Sequence, residues 1–516
     1  MNFASFFPKL NQSADKVSLP GDNQPFNKYL LKKGIFLFLI IALTGTILQF
    51  IIFKQHYPYP DFFSDSYSYL FAAAANLDVS IWPIGYSKFL RLFHYITYSS
   101  TALTAFQYFL IEIAAGYFFL SFLYLYRPGK ITKIILFMFL FFNPLFLYIS
   151  NYVNSDPLFA ALSLFWFTQL LWIIHKPRRY QIFVQAVLLF LCFTVRNNAY
   201  YYPIIATIAF LLSYQNWKLK LTGILLPFVF IIPFIIHTRN TAYRMTGFHQ
   251  YSLFTGWQLA NNALYMRGHV KVDSTQLPNK GTRILNNLAE DYFHNRRPEF
   301  DDFLSSYAAN YYIRQFNAPL KQFISTNFNP KNEYEIIVAW GQASVIFGQY
   351  GSYLIKHNPA AYIRYFVWRN AKNYFWPPLE KLEIYNLGDS TVDPIAQYWF
   401  RFKSRTISVT SNDVQAKILY YFPLLFCLIN FYFIINIYNW FNNRSLRQSK
   451  PEYTPTILLV SSFWLLNLVF SIVVTINVFR YQFVPMIICL AFTLISAELI
   501  GKPSKTSTLT PSYAKQ

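Results

Sequence analysis

Two aspartates stand four positions apart in Pro60-Asp61-Phe62-Phe63-Ser64-Asp65-Ser66-Tyr67-Ser68-Tyr69, directly after the first long apolar run of the chain. A carboxylate taken out of water without a partner is strongly disfavoured. Acids at a membrane boundary are therefore candidates for chemistry, as proton acceptors or as counter-charges to a developing cation. Asp65, with Asp61 beside it, heads the catalytic candidates, and Tyr69 offers a hydroxyl on the same stretch. Asp65 also precedes Ser66–Leu77, an apolar-periodic segment, so a helix N-cap is the bland alternative. Trp82-Pro83-Ile84-Gly85-Tyr86 reads as a turn into a second, amphipathic helix lying on the membrane, and places Tyr86 nearby. A third acid, Asp156, occupies the short loop Asn151-Tyr152-Val153-Asn154-Ser155-Asp156-Pro157, with proline at the first helical position.

Three arginines complete the set: Arg196 after one apolar run, Arg239 with Asn240 after another, and Arg480 with Tyr481 before the last. A guanidinium binds phosphate bidentately and stays charged at any accessible pH, so these three read as a phosphate clamp. Snorkelling to lipid headgroups is the alternative for each. The histidines show no paired spacing and no glycine-rich phosphate loop is present. A divalent cation between Asp65 and Asp156 is left open by the spacing. Cys192, Cys427 and Cys489 all fall inside apolar runs without metal spacing and read as packing residues.

The elements that must position these groups are membrane helices. The chain has 516 residues, 54% hydrophobic and only 13% charged, where a soluble domain carries about a quarter charged. Apolar runs at 34–53, 101–125, 131–150, 157–175, 181–195, 199–214, 219–237, 416–438, 455–476 and 480–499 predict ten transmembrane helices in an all-α polytopic fold. Lys28, Lys32 and Lys33, the connectors holding Arg127/Lys130/Lys133, Lys176/Arg178/Arg179, Lys218/Lys220 and Arg444/Arg447/Lys450, and the tail with Lys502 and Lys505 then share one side. The positive-inside rule makes that side cytoplasmic, with both termini on it. The net charge of +22 is absorbed by this pattern and by anionic lipids rather than by nucleic acid.

The expected organisation is a cytoplasmic N-terminal tail (1–33), a transmembrane core (34–237) with a catalytic first outer loop (54–100), an extracytoplasmic segment (238–415), C-terminal membrane helices (416–500) and a cytoplasmic tail (501–516). The outer segment reads as mainly helical, with helix-like spacing over Arg283–Arg296, Glu299–Thr326, Glu333–Lys356 and Pro359–Tyr374. Tyr251, Trp257 and Trp376-Pro377-Pro378 are its candidates for acceptor contact. No early apolar core with a cleavage site marks a removable signal peptide.

Taken with their order along the chain, the Asp61–Tyr69 stretch, Trp82–Tyr86, Asn154-Ser155-Asp156-Pro157-Leu158-Phe159, Arg196, Arg239-Asn240 and Arg480-Tyr481 resemble the multi-span GT-C glycosyltransferases. That superfamily includes the protein O-mannosyltransferases and the lipid A aminoarabinose transferase of glycosyltransferase family 39. The resemblance covers most of 34–500. It implies a polyprenyl-phosphate sugar donor, an acidic base in the first outer loop, basic residues on the lipid phosphate, and a glycan, lipid or protein acceptor. It further implies a bacterial inner (plasma) membrane location, with the active site on the extracytoplasmic face in cell-envelope glycan synthesis. The second-loop acid is Asp156 where such loops often carry Glu, and the outer segment has no β-rich module. Two other classes stay open. A polyprenyl-linked lipid transporter or flippase would place charged or Gly/Pro-broken segments at mid-membrane, and a non-catalytic membrane scaffold would leave the three acids scattered.

Overall fold

In a computed structural model, which describes residues 24–294 and 310–501, the chain is an all-α polytopic membrane protein. Among those residues the extended pairings are two isolated bridges, Asp61↔Tyr152 and Thr391↔Thr406. The helices used below are α1 (Lys33–His56), α2 (Ser64–Ala74), α3 (Gly85–His94), α4 (Ser100–Tyr126), α5 (Lys130–Phe141), α6 (Pro144–Asn151), α7 (Ser155–His175), α8 (Arg179–Val195), α9 (Tyr202–Leu212) and α10 (Trp217–Thr246). They continue as α11 (Thr255–Arg267), α12 (Lys280–His294), α13 (Pro319–Asn327), α14 (Glu333–His357), α15 (Trp368–Phe375), α16 (Phe422–Asn442), α17 (Thr454–Val473) and α18 (Phe483–Gly501).

All ten apolar runs are helical, but eight segments among the described residues are long and apolar enough to cross a bilayer on their own. The two short ones are α8 and α9. With 17 and 11 residues they reach about 25 and 16 Å at 1.5 Å per residue, against a hydrocarbon core of about 30 Å. The third run is a broken pair: Asn143 caps α6 by accepting from the Leu145 amide at 3.0 Å, and Pro144 sits at its first position. The seventh run differs most. Its helix does not stop at 237 but continues to Thr246, because His237-Thr238-Arg239-Asn240 holds no helix breaker and Gly247, in the left-handed conformation, is the first residue able to end it. At 30 residues, α10 is about 45 Å long and projects beyond the bilayer.

Leu37, Ile40, Ile51 and Ile52 on α1, and Leu225, Val229, Ile232 and Ile236 on α10, are exposed, as lipid-facing side chains should be. The helices α4, α7 and α18 pack at the centre of one large apolar core. A second core is built by α11, α12, α13 and α14, joined by Val79 and Ile81 of the first loop and by Ile476 and Val478 before α18. Among its described residues the 238–415 segment is therefore mainly helical. Glu333–His357 forms the expected single helix, and the run from Pro359 to Phe375 is helical with a π-turn at Ile363–Val367. The expected 299–326 helix is divided within its described part into Tyr311–Arg314 and Pro319–Asn327, and the rest of it lies outside the described residues. Both expected tails lie largely outside them as well. Gly256 is where α11 and α14 come closest: a Cβ there would lie 1.7 Å from the Ser344 carbonyl oxygen.

Candidate active site

The termini of the bundle helices bring the candidate residues together. Helix α8 ends at Val195 and α17 at Val473, while α7 begins at Ser155 and α18 follows Arg480 and Tyr481, all toward a cavity of about 590 Å³. Its lining includes Asp65, Tyr69, Trp82, Asn154, Arg196, Arg314, Lys321, Trp340, Lys381, Arg480 and Tyr481.

Asp65 lies in the first turn of α2, one position inside the helix rather than at its cap. Phe63 is the N-cap residue, and its amide donates to Ser66 Oγ at 3.2 Å. The Asp65 carboxylate is thus free for a distant partner, and it receives Lys381 Nζ at 3.2 Å. Its side chain keeps 20% of its surface exposed, toward the cavity. Burial alone would raise its pKa, but Lys381, Arg480 and Arg314 outweigh that and hold it below the usual carboxylate range. Burial pushes the Lys381 ammonium down to about 7, with Arg480 and Arg314 adding to the shift and Asp65 opposing it. The ammonium also rests over the Phe63 ring, 3.6 Å from its centroid.

Asp156 is likewise not a cap. Asn154 fills that position, accepting from the Ser155 amide and donating its Nδ2 to Asp156 Oδ2 at 2.7 Å. Both Asp65 and Asp156 therefore occupy first turns, where the helix dipole favours a negative charge. Asp156 joins two of the three candidate arginines, Arg196 through Oδ1 and Arg480 at 3.0 Å through Oδ2. Arg196 follows the last turn of α8, the end of a helix that favours a cation. A Cβ at Gly85 would lie 2.6 Å from the Thr194 carbonyl, so glycine there lets α3 seat directly on that end. Asp156 itself does not line the main cavity. It sits behind the arginines, against Phe159, Tyr202 and Phe483. Arg480 Nε also approaches Glu380 at 3.6 Å, and Glu380 is held by Arg314 at 2.5 Å.

Lys381 and Glu380 had no signal in the sequence beyond standing near Trp376-Pro377-Pro378. They come from a loop clamped by its backbone: the Phe479 amide donates to Pro378 O at 3.0 Å, and the Tyr152 hydroxyl donates to Lys381 O. Glu380 adopts φ +57°, a left-handed conformation costly for a side chain with a Cβ, which its two arginine partners offset. Asp61 belongs to this clamp rather than to the cavity. It is 2% exposed and accepts from the Asn386 amide at 2.8 Å. Burial, only partly offset by those hydrogen bonds, pushes its pKa up to about 8.

Tyr69 lines the cavity with its hydroxyl 3.0 Å from Ser155 Oγ, and Tyr481 lies under the guanidinium groups of Arg196 (4.7 Å) and Arg480 (4.8 Å). Tyr86 is fully buried behind Tyr69, donating to Gln107 at 2.7 Å, and does not reach the cavity. Arg239 and Asn240 are corrections to the sequence reading. The extension of α10 leaves both exposed on that helix, apart from the clamp. Tyr251 and Trp376 also lie outside the lining, and Trp257 is buried under Trp340, centroids 3.8 Å apart. Among the described residues no cluster of three His, Cys, Asp or Glu side chains could hold a metal ion. The two acids proposed for a divalent cation are each already engaged by a basic side chain. No protein-family model, curated protein or solved structure matches this chain.

The arrangement has a clear chemical bias. In the linked network Arg196, Arg314, Lys381 and Arg480 face three carboxylates, Asp65, Asp156 and Glu380. Lys321 adds a further cation to the lining, over the Trp340 ring at 5.0 Å and with no carboxylate partner among the described residues. The lining thus carries five basic side chains against two carboxylates, Asp65 and Glu333, an excess of positive charge that suits an anion.

Proposed function

We propose that this chain is an integral-membrane glycosyltransferase that moves a sugar from a polyprenyl-phosphate donor to an acceptor hydroxyl. The observation that carries the reading is the meeting of Asp65, Lys381, Arg196 and Arg480 in one cavity at the ends of membrane helices. A lipid-linked anion suits that position, with its tail in the bilayer and its phosphate among the cations. Apolar Phe470 and Val474, at the end of α17, line the same cavity on the membrane side.

In this mechanism Arg196 and Arg480, held apart and oriented by Asp156, bind the donor phosphate. The acceptor oxygen attacks the anomeric carbon and forms the new C–O bond, while the bond from that carbon to the phosphate oxygen breaks. The bonding pair leaves with the polyprenyl phosphate, and Lys381 and the two arginines stabilise its second negative charge. Asp65 takes the acceptor's proton, a step worth about 10²–10⁴-fold for a placed base. Its carboxylate also opposes the positive charge that develops on the sugar ring. Asp65 is ionised at neutral pH because of its cationic neighbours. A bound phosphate offsets those same charges and raises its basicity when the donor is present.

The direct test supplies purified protein in nanodiscs with labelled polyprenyl-phosphate sugars and a panel of saccharide, lipid and hydroxyl-bearing peptide acceptors, and follows release of free polyprenyl phosphate. Turnover with at least one donor supports the reading. Absence of cleavage across hexose, pentose and amino-sugar donors, with a folded protein, refutes it.

A further inference from the structure

Beside the cavity runs a second, more open hollow of about 770 Å³ between α11 and α14, and Thr255 and Leu259 belong to the walls of both. We propose that this hollow is the acceptor subsite and that the acceptor is an extended glycan chain. Its terminal hydroxyl would be at Asp65 and its preceding sugar residues laid along the α11–α14 groove. The inference rests on the transferase reading and adds the acceptor class to it.

Three observations favour a glycan. First, the groove and the cavity share Thr255 and Leu259 as a common wall, and Thr255 is exposed, so a chain leaving the cavity over that ridge enters the groove. A single small acceptor would need only the cavity. Second, the lining mixes side-chain amides, hydroxyls and rings, among them Gln250, Tyr251, Gln349 and Tyr353. Sugars are recognised by such sets, with hydroxyls hydrogen-bonded and C–H faces on aromatic rings. Third, among the described residues no carboxylate lines the groove, whereas Lys356 and His357 stand in its wall. That favours a neutral or acidic chain over a basic peptide. The floor is open because α14 presents Gly348 there. A Cβ at Gly348 would meet only the Gly256 Cα, at 3.5 Å, which is ordinary contact.

Gly348 therefore allows the groove to be filled without touching Asp65 or the cations. Wild type, Gly348→Ala and Gly348→Phe are compared in nanodiscs, with thermal midpoints measured alongside. The acceptor probes are glucose, N-acetylglucosamine and galacturonate, each as monosaccharide and as β- or α-linked hexamer. The donor is whichever polyprenyl-phosphate sugar the wild type cleaves. For at least one sugar the hexamer should show a KM at least about tenfold below its monosaccharide, about 1.4 kcal/mol of extra binding. Gly348→Phe should erase that advantage and Gly348→Ala should keep it, while donor cleavage to water stays unchanged in both. If Gly348→Phe fails to fold, Ser352→Trp on the same face takes its place. Equal KM for every hexamer and its monosaccharide, or a hexamer advantage that survives the filled groove, overturns the proposal. No donor cleavage in wild type is a different failure, that of the transferase reading. Hexamer binding by thermophoresis then judges the groove alone, and no binding at millimolar concentration overturns it.

Discussion

At the scale of single residues, charge pairing separates the chemical candidates from the structural ones. Asp65 was legible in the sequence because its setting is local: a hydroxyl-rich stretch directly after a membrane helix. Lys381 was not, because its approach to Asp65 spans 316 positions and depends on a loop clamp that no spacing announces. The pairing has a consequence for pH. The Lys381 ammonium titrates near 7, so it is charged below that value and neutral above it. Donor kcat/KM should fall as pH rises through about 7. Lys381→Arg, whose guanidinium keeps its charge, should carry activity past that limb. An unchanged alkaline limb in Lys381→Arg would remove Lys381 from the phosphate site. Arg239 gives the opposite expectation. Arg239→Lys on the exposed face of α10 should leave donor KM within about twofold, as surface substitutions usually do. A large rise would return Arg239 to the clamp.

At the scale of elements, the apolar runs were readable because hydropathy marks membrane helices directly, but their ends were not. Helix α10 overran its apolar stretch by a polar turn and more, and that overrun is why Arg239 and Asn240 were misplaced. The acids adjacent to helix starts read as possible caps, yet Phe63 and Asn154 hold those positions, and the carboxylates two positions further on, still in the first turn, are released for pairing. Asp156 then works as a brace between α7, α8 and α18. Asp156→Ala would leave Arg196 without its carboxylate and Arg480 with Glu380 alone, and should cost about 3 kcal/mol of stability, seen as poor yield and a lowered thermal midpoint. Asp61 braces the Lys381 loop. Its carboxyl is pushed from 3.8 to about 8, so the folded state holds that proton more tightly than the unfolded one. Its stabilising contribution is full below about pH 4 and is lost as pH rises through about 8. The thermal midpoint of wild type should drop across that window and that of Asp61→Asn should drop less. Parallel curves would show that Asp61 is ionised in the folded protein.

At the scale of the whole molecule, the sequence conveyed the all-α polytopic plan and the mainly helical character of the described part of 238–415, since both follow from composition and period. The convergence of distant charges at one end of the bundle was beyond it, because packing decides which helix ends meet. The positive-inside reading of the basic connectors expects that end on the outer side of the membrane. With Cys192, Cys427 and Cys489 replaced, a thiol at exposed Lys271 should react with an impermeant maleimide from outside the cell, and one at exposed Arg179 should not. Reversed labelling would invert the topology. The central claim, that Asp65 is the base of a glycosyl transfer, is tested most directly by single-turnover rates for Asp65→Asn and Asp61→Asn with donor and acceptor saturating. Asparagine keeps the shape of each side chain and removes its negative charge together with its capacity to take a proton. The account predicts a fall of about 10²–10⁴-fold for Asp65→Asn and a rate within about threefold of wild type for Asp61→Asn, both proteins folded. Full transfer in Asp65→Asn would contradict it.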